Sequence, residues 1–197
     1  MEKQIEKFSL IKDAAWHRIL KGVGDNLLNH DYLKDKKIEL DISGWVITVD
    51  SYTVAEKAHT RLRAPYLNTE NFQFKMFRKG FFSSFMKLFG MQDIEIGNEK
   101  FDANFIIQAN DKEKIKKLFS DYLLREMLSN QDSILVQIKD DEGWFKDKYP
   151  EGINELYIEV PELVQDIEQL EVMFLILAKI FQYLCDISKG YHKGDKS

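Results

Sequence analysis

"KIELDI" at 37–42, "WVITVDSYTV" at 45–54 and "HTRLRAPY" at 59–66 carry the pattern that decides the fold. Polar and apolar residues alternate there with a period of two, as in a strand that buries one face. Upstream the rhythm differs. Ile5, Phe8, Ile11, Ala15, Ile19, Val23 and Leu27 recur every three or four positions and predict a helix over 3–29, weakened near its end by Gly22 and Gly24. Downstream, "FQFKMF" (72–77) alternates again, with Phe72, Phe74 and Met76 facing the core and Lys75 facing away. Turn formers in "APYLNTEN" predict a hairpin that joins 59–66 to 72–77 through a longer loop.

The rest of the chain adds strands and two helices. "DIEI" (93–96) and "NFIIQAN" (104–110) read as short strands joined by "GNEKFDA". Asn110 or Asp111 then caps a central helix over 111–128, with Ile115, Leu118, Phe119, Tyr122 and Leu123 on its buried face. "SILVQIKD" (133–140) and "GWFKDKY" (143–149) suggest a hairpin turning at "DDEG", and "ELYIEV" (155–160) a further strand. Pro161 opens a final helix over 162–188, where its missing N–H costs nothing. Glu162, Asp166 and Glu168 favour the positive end of its dipole. That helix is apolar around most of its circumference, so it must be buried on several sides, by the rest of the chain or by a second copy.

Strands grouped between helices, without strict alternation, indicate an α+β fold. The expected architecture is an antiparallel sheet packed against long N- and C-terminal helices and a central helix. One domain spans 1–188, and the polar stretch 189–197 forms a flexible tail.

With 197 residues, 44% of them hydrophobic and 31% charged, the chain has the composition of a soluble globular domain. A net charge of -5 argues against a broad nucleic-acid footprint. Cys185 is the only cysteine, which excludes an intrachain disulfide or a multi-cysteine zinc site, and its apolar helical setting predicts a buried, inert thiol. The charged N-terminal residues lack the apolar run of a secretory leader, and the run at 172–185 is broken by Lys179 and Gln182. The expected location is cytoplasmic.

Common chemistries find no footing. Gly22-Val23-Gly24 lacks the third glycine and the preceding strand of a dinucleotide fingerprint, and no phosphate-binding P-loop is present. His17, His30, His59 and His192 are dispersed, without metal-ligand spacing. No nucleophile elbow surrounds Ser83-Ser84. The sequence calls for no metal and no cofactor, and nominates no catalytic residue.

Two binding features remain. His59, Arg61 and Arg63 lie on one strand face, where Lys75 can join them; guanidinium forks suit a phosphate or carboxylate. The competing reading is cross-strand ion pairing, for example with Asp93 and Glu95. The second feature is "GFFSSFMKLFG" (80–90), a glycine-bounded cover that presents Phe81, Phe82, Phe85 and Phe89 as a partner surface. Its single lysine, Lys87, is too little for a membrane-surface helix.

"HTRLRAPYLNTENFQFKMFRKG" (59–80) and "GMQDIEIGNEKFDANFIIQANDKEKIKKLF" (90–119) resemble uncharacterised bacterial proteins of Bacteroidetes type that carry domains of unknown function. The resemblance covers roughly residues 59–128 and brings no activity with it. It draws attention to Phe101-Asp102 and Phe105 as a folding signature, in which Asp102 binds nearby backbone and pins the start of the second strand.

The leading expectation is a non-enzymatic binding or protein-interaction domain that self-associates through its C-terminal helix. One alternative is a small-ligand protein or enzyme, with an apolar pocket between sheet and helix and an arginine-lined anion site for an apolar or anionic ligand. Another is a membrane-surface adaptor using residues 78–91. Nucleic acid and membrane are the less favoured partners.

Overall fold

The computed structural model describes residues 37–42, 45–80, 92–140 and 151–188. The helix expected over 3–29, the Phe-rich cover with Phe81, Phe82, Phe85 and Phe89, the strand expected at 143–149 and the tail at 189–197 lie outside those residues.

The described chain is α+β. Eight strands form one antiparallel sheet: β1 (Lys37–Ile42), β2 (Trp45–Val54), β3 (Lys57–Leu67), β4 (Phe74–Arg78), β5 (Gln92–Asp93), β6 (Phe105–Ala109), β7 (Leu135–Lys139) and β8 (Ile153–Val160). Their spatial order is β1-β2-β3-β8-β7-β4-β6-β5. Helices are α1 (Glu99–Asn104), α2 (Lys112–Leu118), α3 (Tyr122–Ser129) and the long α4 (Ile167–Ile187).

The alternation that marked the strands also assigns their faces. Leu62, Ala64 and Tyr66 of β3 are buried on one face together with Leu156 and Ile158 of β8, Val136 of β7, Met76 and Phe74 of β4, and Ile107 of β6. The described helices pack here. Tyr66 meets Phe181 of α4 edge-on at 6.2 Å, and Phe74 meets Phe119 at 6.3 Å. Burying a side chain such as Phe74 contributes about 2–3 kcal/mol.

Along α4, Leu170, Met173, Phe174, Ile176, Leu177, Ile180, Phe181 and Leu184 are all buried.

Four expectations are corrected. β3 and β4 do not form a hairpin: β8 and β7 lie between them, paired with β3 and β4 respectively. The segment "GNEKFDA" is not a plain turn but contains α1, capped by Asn98, whose side chain accepts the Phe101 N–H. The central helix is two helices. Asp111 caps α2 and Asp121 caps α3, so the chain breaks at Phe119–Ser120 and leaves Tyr122 exposed instead of buried. Finally, α4 starts five residues after Pro161, at its cap Asp166. The intervening segment is held by buried Thr60, whose hydroxyl donates to Glu162 O at 2.8 Å and accepts the Val164 N–H at 2.9 Å.

Candidate functional site

The opposite face of the sheet gathers the residues singled out as an anion site. His59, Arg61 and Arg63 project there from β3, as period two requires. Their register brings Asp50 of β2 and Glu159 of β8 opposite Arg61, and Tyr157 opposite Arg63. Arg61 grips Asp50 with two bonds, Nε to Oδ1 at 2.6 Å and Nη2 to Oδ2 at 2.8 Å. Arg63 Nη2 reaches Asp50 at 3.2 Å, and its Nη1 lies 3.7 Å from Glu155. The arginines are therefore ion-paired, but with Asp50 and Glu155; Asp93 instead accepts from Gln108 at 2.8 Å.

A second cluster adjoins the first. Glu159 accepts from Tyr52 OH at 2.7 Å and from Tyr157 OH, and its other oxygen lies 2.8 Å from His59 Nδ1. Tyr52 stacks on His59, and the Arg61 guanidinium lies over the Tyr52 ring at 4.6 Å. Burial, followed by the Tyr157 and Glu159 hydrogen bonds, leaves the Tyr52 hydroxyl at about 12. Arg61 is held above its ordinary value chiefly by its hydrogen bonds to Asp50.

Lys75 shares this face but does not stand beside β3, because β7 and β8 intervene. It is buried, and its register neighbours are Gln137 and Gln108. Burial, with help from Lys139, pulls its amine down to about 8, against the opposing pull of Glu159. Between the arginines and Lys75, Phe77, Leu135 and Tyr157 form a small apolar cluster of their own. Asp50 and Glu155 thus cross-brace the two guanidinium groups, and Arg63 Nε is buried without a hydrogen-bond partner.

A different site lies at the sheet edge. Beyond β6, β5 supplies only two paired residues, Gln92 with Ala109 and Asp93 with Gln108, followed by one bond from Ile94 N to Ile107 O at 2.8 Å. The chain then leaves the edge because Asp102 holds it elsewhere. One carboxylate oxygen accepts the Ile96 N–H, and the other accepts those of Gly97 and Asn98, all at 3.0 Å. Asp102 binds nearby backbone as expected, but it holds residues 96–98 after β5 and not the start of β6. Gly97 adopts φ +88°, which glycine tolerates without strain. Phe101 and Phe105 stack beneath at 4.4 Å.

A groove of about 600 Å³ opens where the chain peels away. Ile94, Phe105 and Ile107 form its apolar lining, while Lys79, Lys112, Lys116, Asp93, Glu95 and Asp102 bring charge to it. Two of the three carboxylates are engaged internally, Asp102 by backbone and Asp93 by Gln108. Lys79 Nζ donates to a neutral carbonyl, Asp102 O, at 2.9 Å. Lys112 and Lys116 sit one turn apart on α2. Sequence reading missed these lysines. The available signal was "KEKIKK", where Lys112 and Lys116 share a helix flank beside buried Ile115.

Among the described residues, no helix is long and apolar enough to cross a membrane, and no cluster of potential metal ligands is present.

No family model and no curated protein matches the sequence. Among solved structures, the crystal structure of the mycobacterial trehalose monomycolate transport factor A, TtfA, is similar at a TM-score of 0.42 and 10% identity, covering 87% of this chain and 96% of that chain.

Proposed function

We propose that this chain is a binding domain whose recognition site is the edge groove between β5, β6 and α2. The observation that carries this reading is the Asp102 cradle. It draws residues 96–98 away from β6 and leaves an apolar floor bordered by Lys79, Lys112 and Lys116 and by Asp93, Glu95 and Asp102. Such a floor with a few polar groups at its margin suits recognition. The reading keeps the expected binding role but moves the cationic contact from Arg61 and Arg63, whose donors face Asp50 and Glu155, to Lys79, Lys112 and Lys116.

The test is a panel of acyl and aromatic carboxylates, nucleotides and short peptides, titrated into isotope-labelled protein and followed by amide chemical shifts. Binding should displace the signals of Ile94, Glu95, Phe105 and Ile107. Shifts confined to residues around Arg61 and Arg63, or no shift with any compound, overturn the proposal.

A further inference from the structure

We infer that the occupant of this groove is a small zwitterion with an apolar body, of the class of a free di- or tripeptide; the inference rests on the binding role proposed for the groove. Lys79, Lys112 and Lys116 face Asp93, Glu95 and Asp102 in the lining, so a ligand of a single sign gains nothing from the sum of the charges. Their arrangement is what selects a ligand. Asp93 and Glu95 come from β5 and the residues just after it, where both are exposed on either side of buried Ile94. Lys112 and Lys116 come from α2. The free charges of opposite sign thus stand on different elements.

They do not neutralise one another. Among the described residues, no lysine of the groove lies within ion-pair distance of a lining acid. Lys114 on the same helix shows the alternative, since it pairs with Glu70 at 3.4 Å and Asp111 at 3.5 Å. Asp102 is taken up by three backbone amides, and Lys79 by Asp102 O, so these two hold the loop. Lys112, Lys116 and Glu95 keep their charges uncommitted among the described residues, and Asp93 has only Oδ1 engaged, by Gln108 Nε2.

Separated charges of both signs are complemented by a ligand that carries both. An ammonium group meets Glu95 and Asp93, and a carboxylate meets Lys112 and Lys116. Ile94, Phe105 and Ile107 line the groove with apolar surface for the body that joins the two ends. The volume of about 600 Å³ suits a small organic ligand better than a lone ion. Recognition here is by end groups and side chains. Strand addition is closed off, because the Phe105 N–H is already donated to Phe101 O.

The experiment uses labelled full-length protein and four forms of the tripeptide Leu-Val-Leu: both ends free, acetylated at the amine, amidated at the carboxylate, and blocked at both. Affinities are read from the amide shifts of Ile94, Glu95, Phe105 and Ile107. The free form should bind tightest, and each single block should weaken binding about fivefold. An Asp93→Asn/Glu95→Gln variant should lose the discrimination against acetylation and keep that against amidation. A Lys112→Gln/Lys116→Gln variant should do the reverse. Circular dichroism verifies that both variants are folded. Discrimination that is unchanged in both variants overturns the inference. If the doubly blocked peptide binds as tightly as the free one, the occupant is an uncharged apolar molecule; if a singly blocked form binds tightest, it carries one sign. In either case the zwitterion inference falls and the groove reading stands. If no form moves these amides, both fall.

Discussion

Asp102 Oδ2 accepts the backbone N–H of Gly97 at 3.0 Å, and with its bonds to Ile96 and Asn98 this contact sets where β5 leaves β6. Asp102→Ala removes an acceptor from three amides at once. At about 1 kcal/mol per hydrogen bond, with partial replacement by water, the expected loss is about 2 kcal/mol in a denaturant titration. Amide exchange should accelerate at Ile96, Gly97 and Asn98 and remain slow in β3. A loss spread evenly over the whole sheet would contradict this local role. Gly97→Ala separates conformation from space: nothing lies within 4 Å of an added Cβ, so its cost of about 1 kcal/mol comes from φ +88° alone.

On the other face, Asp50 is the shared carboxylate of Arg61 and Arg63. Asp50→Ala leaves two largely buried guanidinium groups without their main partner and should cost about 3–5 kcal/mol. If the cluster serves to brace the sheet, replacing the ions by apolar groups should restore stability. Asp50→Leu/Arg61→Met is therefore expected to recover at least half of that loss in thermal denaturation. Failure of the double variant to exceed Asp50→Ala would mean that the charges have a role beyond cross-strand bracing.

The ease of reading these two regions from sequence differs for a physical reason. Strand alternation is local, so it placed His59, Arg61 and Arg63 on one face, and Phe74 and Met76 on the other. Strand neighbours are not local. The β7–β8 pair inserts between β3 and β4, and nothing in "APYLNTEN" signals an insertion from residues 135–160. That displacement is also why Asp93 and Glu95, at the β5 end of the strand order, are not partners of Arg61, while Asp50 and Glu159 are placed opposite it by register. The split central helix was more accessible. Ser120-Asp121 competes for backbone bonds and favours a new cap, and Asp121 is further tied to Lys179 of α4 at 2.6 Å, which explains the lysine within that apolar helix. The edge groove depends on where Asp102 draws the chain in three dimensions. Its signature residues were visible, but the cavity they create was not.

Lys75 gives the folded protein a distinctive response to alkali. Its amine titrates near 8 when folded and at the ordinary lysine value of 10.5 when unfolded. Between those values the unfolded chain retains a proton that the folded chain has released, so this residue makes stability rise with pH across the interval. Cys185, raised to about 11 by burial, acts in the opposite direction from pH 9 upward, as Tyr52 does from pH 10. The informative quantity is thus the difference between the parent and Lys75→Met. The parent should gain on the order of 2 kcal/mol relative to the variant between pH 8 and 10.5. Parallel stability curves over that range would show that Lys75 is charged in the folded state.

The β2–β3 hairpin turns on Ala55 and Glu56, both with positive φ, at 47° and 67°. A two-residue turn of this hand matches the twist of the strands it joins, but it favours Asn-Gly over residues with an unaccommodated Cβ. The strands compensate for it. Val54 pairs with Lys57, and the register continues unbroken to Thr48 opposite Arg63. Ala55→Asn/Glu56→Gly should therefore relieve strain without shifting that register, raising stability by about 1 kcal/mol, less the entropy lost by the new glycine. Differential scanning calorimetry should record a higher Tm, with the cross-strand contacts of Arg61 and Asp50 intact by NMR. A fall in Tm would mean that Glu56 contributes more through its side chain than its backbone costs.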